Sequence, residues 1–191
     1  MSALFVYEET QPERLLFRSS EFADIAQRLA AVGIAFERWK ASAALAEQAT
    51  QADILQAYAS DIERVQRERG YCTADVVRLR RDATDAEWPS KAQAARAKFL
   101  EEHRHAEDEV RFFVEGSGMF YLRVDGKVHI VLCERDDLLS VPAGVRHWFD
   151  MGKNPGFCTI RIFGSPDGWV AQFTGDQIAQ SFPSYDEMAA Q

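Results

Sequence analysis

Only three cysteines occur in the 191 residues, Cys72, Cys133 and Cys158, and no two of them form a Cys-x-x-Cys pair. An odd, widely spaced set excludes a disulfide framework and argues against a cysteine-rich zinc site. Buried free thiols in a reducing cytosol are the expectation. Long apolar runs are also missing. No stretch approaches the roughly 18 apolar residues of a membrane span. The apolar run near the N-terminus, Ala3 to Tyr7, stops at Glu8 and Glu9, too soon for a secretion signal. Basic runs are absent as well: Lys and Arg are scattered, none in a run longer than Arg80-Arg81, and the net charge is -8. An acidic surface repels phosphate backbones and anionic lipid, so neither nucleic acid nor a membrane is expected as a partner. The ligand expected is small, and the location expected is the cytoplasm.

Apolar residues make up 47% of the chain, enough for one sizeable core, and one domain over residues 1–191 is the expectation. Composition shifts near residue 100. Before it, alanine and charged residues dominate. The stretch "SEFADIAQRLAAVG" reads as a helix, with Ser20 as cap, Phe22, Ile25, Ala26 and Leu29 on one face and Gly33 as terminator. "TQADILQAYASDIERVQRERG" repeats that logic from Thr50 to Gly70, with a stripe of Ile54, Tyr58, Ile62 and Val65. A third helix is expected from Ser90, after Pro89, to Glu101. Leu4–Tyr7, Ala35–Trp39 and Val76–Leu79 read as short strands.

From His103 onward the period becomes two. "GMFYLRVDGKVHIVL" is a hairpin around Asp125-Gly126, a dipeptide suited to the positive φ of a tight turn. "LLSVPAG", "FCTIRIF" and "WVAQFTG" add further short segments. The pattern predicts an α+β fold: a small antiparallel barrel or jelly roll, mainly over 103–175, with the helices of a helix-rich 1–101 packed against it.

The stretch "HRHAEDEVRFFVEG" opens that barrel. If residues 103 to 109 are extended, His103, His105 and Glu109 share one face, and Arg111 and Phe113 have the same parity. Two imidazoles, a carboxylate and a guanidinium are costly to bury unless something satisfies them, and a divalent transition metal does so. A lone His-x-His pair more often marks a solvated strand face. "VPAGVRHWFD" supplies a second component, with a Pro142-Ala143-Gly144 turn placing His147 near the start of another strand. His129, mid-strand in the hairpin, reads as structural.

These residues resemble the cupin superfamily. Its first motif, His-x-His, three residues, Glu, six residues, Gly, is matched by His103, His105, Glu109 and Gly116. Its second, Pro-x-Gly-x-x-His, is matched by Pro142, Gly144 and His147. Two positions depart: Asp136 stands where the motif has glycine, and Met151 where it has asparagine. "HAEDEVRFFVEGSGMF", "DDLLSVPAGVRHWFDMG" and "GWVAQFTGDQIAQSFP" are similar to the acireductone dioxygenase family, and the resemblance covers nearly the whole chain.

That resemblance implies one Fe²⁺ or Ni²⁺ per chain, held by His103, His105, Glu109 and His147. It implies Arg111 as a catalytic residue and substrate contacts from Phe99, Phe149, Arg161 and Trp169. The implied reaction is cleavage of an acireductone, an enediol beside a ketone with a methylthio tail, by O₂ in methionine salvage. With iron the products would be a keto acid and formate; with nickel, a shorter carboxylic acid, formate and carbon monoxide. A monomer is expected. A cupin dioxygenase for another enediol or thiol, or a non-catalytic metal-binding or ligand-sensing cupin, remains an alternative at this point.

Overall fold

The computed structural model describes residues 1–165 and 169–189. In chain order the first half contains β1 (Ala3–Glu8), β2 (Gln11–Ser19), α1 (Phe22–Ala30), β3 (Ala35–Arg38), α2 (Gln51–Ala57), α3 (Ala59–Arg69), β4 (Thr73–Leu79) and α4 (Trp88–Ala97). The second half contains β5 (His103–Arg104), β6 (Glu109–Val124), β7 (Lys127–Glu134), β8 (Asp137–Val141), β9 (Arg146–Asp150) and β10 (Phe157–Phe163). The two-residue β11 (Gln172–Phe173), a 3₁₀ turn at Ile178–Ser181 and α5 (Tyr185–Ala189) close the described chain.

Strand β6 is the spine. Its first part pairs β8 on one side and β10 on the other; its second part pairs β7 and β9, all antiparallel. The change of partners falls at Gly116, whose φ is +65°. A Cβ there would land on the carbonyl oxygen of Gly156, so backbone handedness and space both require glycine. Alternation along β6 then sorts side chains between two faces. Phe113, Phe120 and Leu122 point into an inner cluster with Leu139, Phe149 and Phe157. Val110, Phe112 and Val114 point outward, where Ile54, Tyr58, Ile62 and Val65 of the helical half cover them. The resulting antiparallel barrel with helices against its outer face is the cupin-type α+β architecture expected.

The helices depart from the sequence pattern in instructive places. Helix α1 begins one residue late: its N-cap is Glu21, without a side-chain cap, while Ser19 Oγ accepts from the Glu21 amide (3.0 Å) and donates to Asp24 (2.9 Å). The long helix expected from Thr50 is two, α2 and α3, because Tyr58 leaves helical geometry at φ −114°. There its ring, 2% exposed, stands edge-on to Phe112 at 5.5 Å. Packing against the barrel outweighs one unbroken hydrogen-bond ladder. Helix α4 starts earlier than Ser90 and ends before Phe99, which lies in the following turn.

Strands from the first half are built into the barrel walls. Strand β1 pairs β7, β3 pairs β8, and β4 pairs β10. Strand β2 was not anticipated: "QPERLLFRS" is polar because it is an edge strand, paired with β1 and largely exposed. "WVAQFTG" forms only the short β11, laid against β5. Asp125 (φ 51°) and Gly126 (φ 70°) make the hairpin turn. Asp136 occupies the glycine position of the second motif at φ 81°, and its carboxylate accepts the Ala41 amide at 2.8 Å, which holds the turn without glycine. Met151 is simply buried in the inner cluster. Cys133 and Cys158 are buried free thiols as expected, but Cys72 is exposed. No helix among the described residues is long and apolar enough to cross a membrane.

Candidate metal centre

One atom from each of His103, His105, Glu109 and His147 lies within 4.8 Å of the others, and all four side chains are buried. Continuous strand alternation is not what assembles them. Strand β5 ends at Arg104 and β6 begins at Glu109, so His105 sits in the turn between. The turn is tied down by the Gly144 amide donating to the His105 carbonyl at 2.9 Å, which brings the Pro142–Gly144 loop alongside. His103 and His147 are direct partners across β5 and β9. Two local motifs far apart in sequence thus meet through one loop contact and one strand pair.

Each imidazole is oriented by a backbone carbonyl. His103 Nδ1 donates to Glu101 O at 2.7 Å, His147 Nδ1 to Val145 O at 2.8 Å, and His105 Nδ1 to Val170 O at 3.1 Å. With Nδ1 committed, Nε2 is the free atom of every ring. His147 Nε2 and His105 Nε2 lie 2.8 and 3.1 Å from the same Glu109 oxygen. Burial and neighbouring His147 push the His103 pKa down to about 4, so that ring is neutral at ordinary pH. For His105 burial pulls the same way, but the hydrogen bond and charge of Glu109 outweigh it and raise its pKa. Glu109 is itself fully buried, yet Arg111 and the two imidazoles hold it well below the usual carboxylate range. A carboxylate kept ionised among imidazole nitrogens draws positive charge to one point.

Arg111 is 3% exposed and its Nε donates to Glu109 Oε1 at 2.6 Å. Its guanidinium carbon lies 5.0 Å from the Phe149 ring centre, 5.4 Å from Phe120, 5.5 Å from Trp169 and 5.7 Å from Phe99. The cation is therefore caged by aromatic faces, a favourable setting once water is excluded. Trp169 also stacks on His105 at 5.7 Å, and its Nε1 donates to Asp108 O at 3.0 Å. Phe99, Phe149 and Trp169 are thus gathered around Arg111. Arg161 stands across from Arg111 in register but is half-buried, with its fork on Asp75. The pattern along the chain did not single out Phe120, Asp75 or Asp108: strand pairing brings Phe120 and Asp75 to this face, and Asp108 lies in the loop before β6, tied to Trp169 and Ala143. His129 lies outside the group, buried mid-strand, as a structural histidine.

An antiparallel barrel whose interior gathers three imidazoles and one carboxylate on a single point defines a metal-binding cupin. Within that class the chain belongs to the ARD/ARD' family, whose family model matches residues 3–171. Among curated proteins it is 56% identical over 187 residues to the acireductone dioxygenase of Pseudomonas paraeruginosa, covering 98% of this chain and 100% of that one. To the acireductone dioxygenase of Parvibaculum lavamentivorans it is 52% identical over 186 residues, covering 97% and 98%. Among solved structures, an acireductone dioxygenase from Bacillus anthracis with a cadmium ion in its active centre superposes with a TM-score of 0.74. The identity is 28%, over 91% of this chain and 98% of that one.

Proposed function

We propose that the chain is a metal-dependent dioxygenase that cleaves an acireductone with O₂ in methionine salvage. The observation that carries this reading is the convergence of His103, His105, Glu109 and His147 with Arg111 bonded alongside. The names of its relatives support the same chemistry. We assign one Fe²⁺ or Ni²⁺ to those four side chains, since imidazole and carboxylate donors without thiolate suit either ion. Arg111, Phe99, Phe149, Trp169 and Arg161 are assigned to the substrate.

When bound, such an ion supplies Lewis acidity and a template that gathers two substrate oxygens. The chain's own residues do the rest. Neutral His103 adds no charge, and Glu109 stays a carboxylate. Arg111 donates from Nε to Glu109, and its two terminal nitrogens are assigned to the substrate. Those nitrogens attract the enediolate and stabilise charge that shifts as electrons pass from it to O₂. Phe99, Phe149 and Trp169 wall the pocket, exclude water and strengthen each of these interactions. Keto acid plus formate, or carboxylic acid, formate and carbon monoxide, each account for every atom of substrate and O₂.

Because both ions take the same donors, the ion rather than the chain selects between those product sets. Apo-protein reconstituted separately with Fe²⁺ and with Ni²⁺ tests this by headspace analysis. Carbon monoxide is expected with nickel and not with iron. Equal carbon monoxide from both would mean that the protein directs the cleavage.

A further inference from the structure

Asp75, on β4, belongs to the helix-rich half of the chain and to no motif. Strand pairing places it directly opposite Arg161 on β10, and Arg161 in turn directly opposite Arg111 on β6. Two guanidiniums facing each other across adjacent strands repel, and like charges at that spacing destabilise a sheet. Each is balanced by a carboxylate: Arg111 by Glu109, two residues back on β6, and Arg161 by Asp75 across on β4. The Asp75 carboxylate accepts Arg161 Nε at 2.7 Å and Nη2 through its other oxygen, a two-point fork that fixes the plane of the guanidinium. Nη1 is left without a partner among the described residues. The Arg161 guanidinium carbon lies 5.5 Å from the Trp169 ring centre, the same distance as that of Arg111, so the two cations share one indole.

We propose that Asp75 is a positioning residue for substrate binding: it holds Arg161 beside Trp169 and across from Arg111, where repulsion would otherwise move it. The proposal rests on the acireductone reading above and names the residue that places its second cation. A surface ion pair of purely structural use is the competing account, since both side chains are half-buried and such pairs stabilise little. The two accounts differ in kinetics. A guanidinium that grips an anionic substrate in both ground and transition states contributes uniform binding, so its misplacement appears in KM rather than kcat.

The test uses full-length, metal-loaded protein with acireductone and compares wild type, Asp75→Asn, Arg161→Gln and the double variant. Asp75→Asn should raise KM about tenfold, as for loss of a charge-assisted contact, and leave kcat within about threefold. Metal content should stay at the wild-type value. In the Arg161→Gln background the same substitution should move KM by less than about twofold, because Asp75 acts through Arg161. An unchanged KM in Asp75→Asn, or an equal rise in both backgrounds, overturns the proposal. So does metal loss, or a folding defect in Asp75→Asn that Arg161→Gln does not relieve. If wild type itself consumes no O₂ with acireductone, the functional reading falls and this one with it. An active wild type with unaltered Asp75→Asn kinetics sinks the positioning role alone.

Discussion

Glu109 joins the two halves of the chemistry, touching His105 and His147 through one oxygen and Arg111 through the other. That division explains why a buried acid stays ionised and why the guanidinium beside it is held still. It also separates two functions that substitution can pull apart. Replacing Arg111 by alanine removes the cation facing the substrate but none of the four candidate ligands. The variant should keep its metal and lose turnover by on the order of 10², the usual effect of deleting one preorganised charge-stabilising donor. Metal analysis and O₂ uptake on the same sample check this; wild-type turnover would show that Arg111 does not face the substrate. The identities of His103, His105, Glu109 and His147 were legible in the sequence because their spacings are local. Asp75 was not, since nothing within β4 signals that its partner lies 86 residues further on.

At the level of elements, the strand-period signals were the most readable, from the Asp125-Gly126 hairpin to β10. What the sequence concealed was set by partners. Tyr58 breaks a helix that its own neighbours would continue, because Phe112 waits on the barrel. Edge strand β2 carries no buried face to pattern it. The continuous strand expected across 103–109 is interrupted between β5 and β6, where the Gly144 amide holds His105 from outside. Where β6 changes partners, two independent constraints coincide at Gly116, a left-handed φ and contact with the Gly156 carbonyl. Gly116→Ala should therefore destabilise the fold by about 2 kcal/mol or more, read as a lowered urea midpoint. A midpoint equal to wild type would mean that the bend is not needed.

His129 gives β7 a pH dependence separate from the metal group. Burial lowers its pKa, and its Nδ1 has no partner among the described residues. A depressed imidazole binds fewer protons folded than unfolded, so its contribution is fully present above the ordinary range near 6.5. That contribution is lost as pH falls from there toward the folded value. Apo-protein urea midpoints at neutral and mildly acid pH should differ less in His129→Gln than in wild type. An identical slope in both would mean that His129 does not titrate differently on folding.

The whole molecule carries a net charge of -8, yet its interior concentrates Arg111 and a site built to draw a cation. An anionic substrate is therefore favoured inside the barrel and repelled elsewhere, a contrast that composition alone cannot express. The barrel that creates the contrast takes walls from both halves, β1, β3 and β4 from the first and β6 to β10 from the second. The central claim is that one metal on the four converging side chains makes this interior a dioxygenase. It is tested most directly by titrating apo-protein with Fe²⁺ or Ni²⁺ and following O₂ uptake with acireductone at each addition. Uptake should rise in proportion to metal and break at one ion per chain, and His147→Ala, which opens the donor set, should bind little metal and show almost none. No uptake at any loading, or full uptake by His147→Ala, would contradict it.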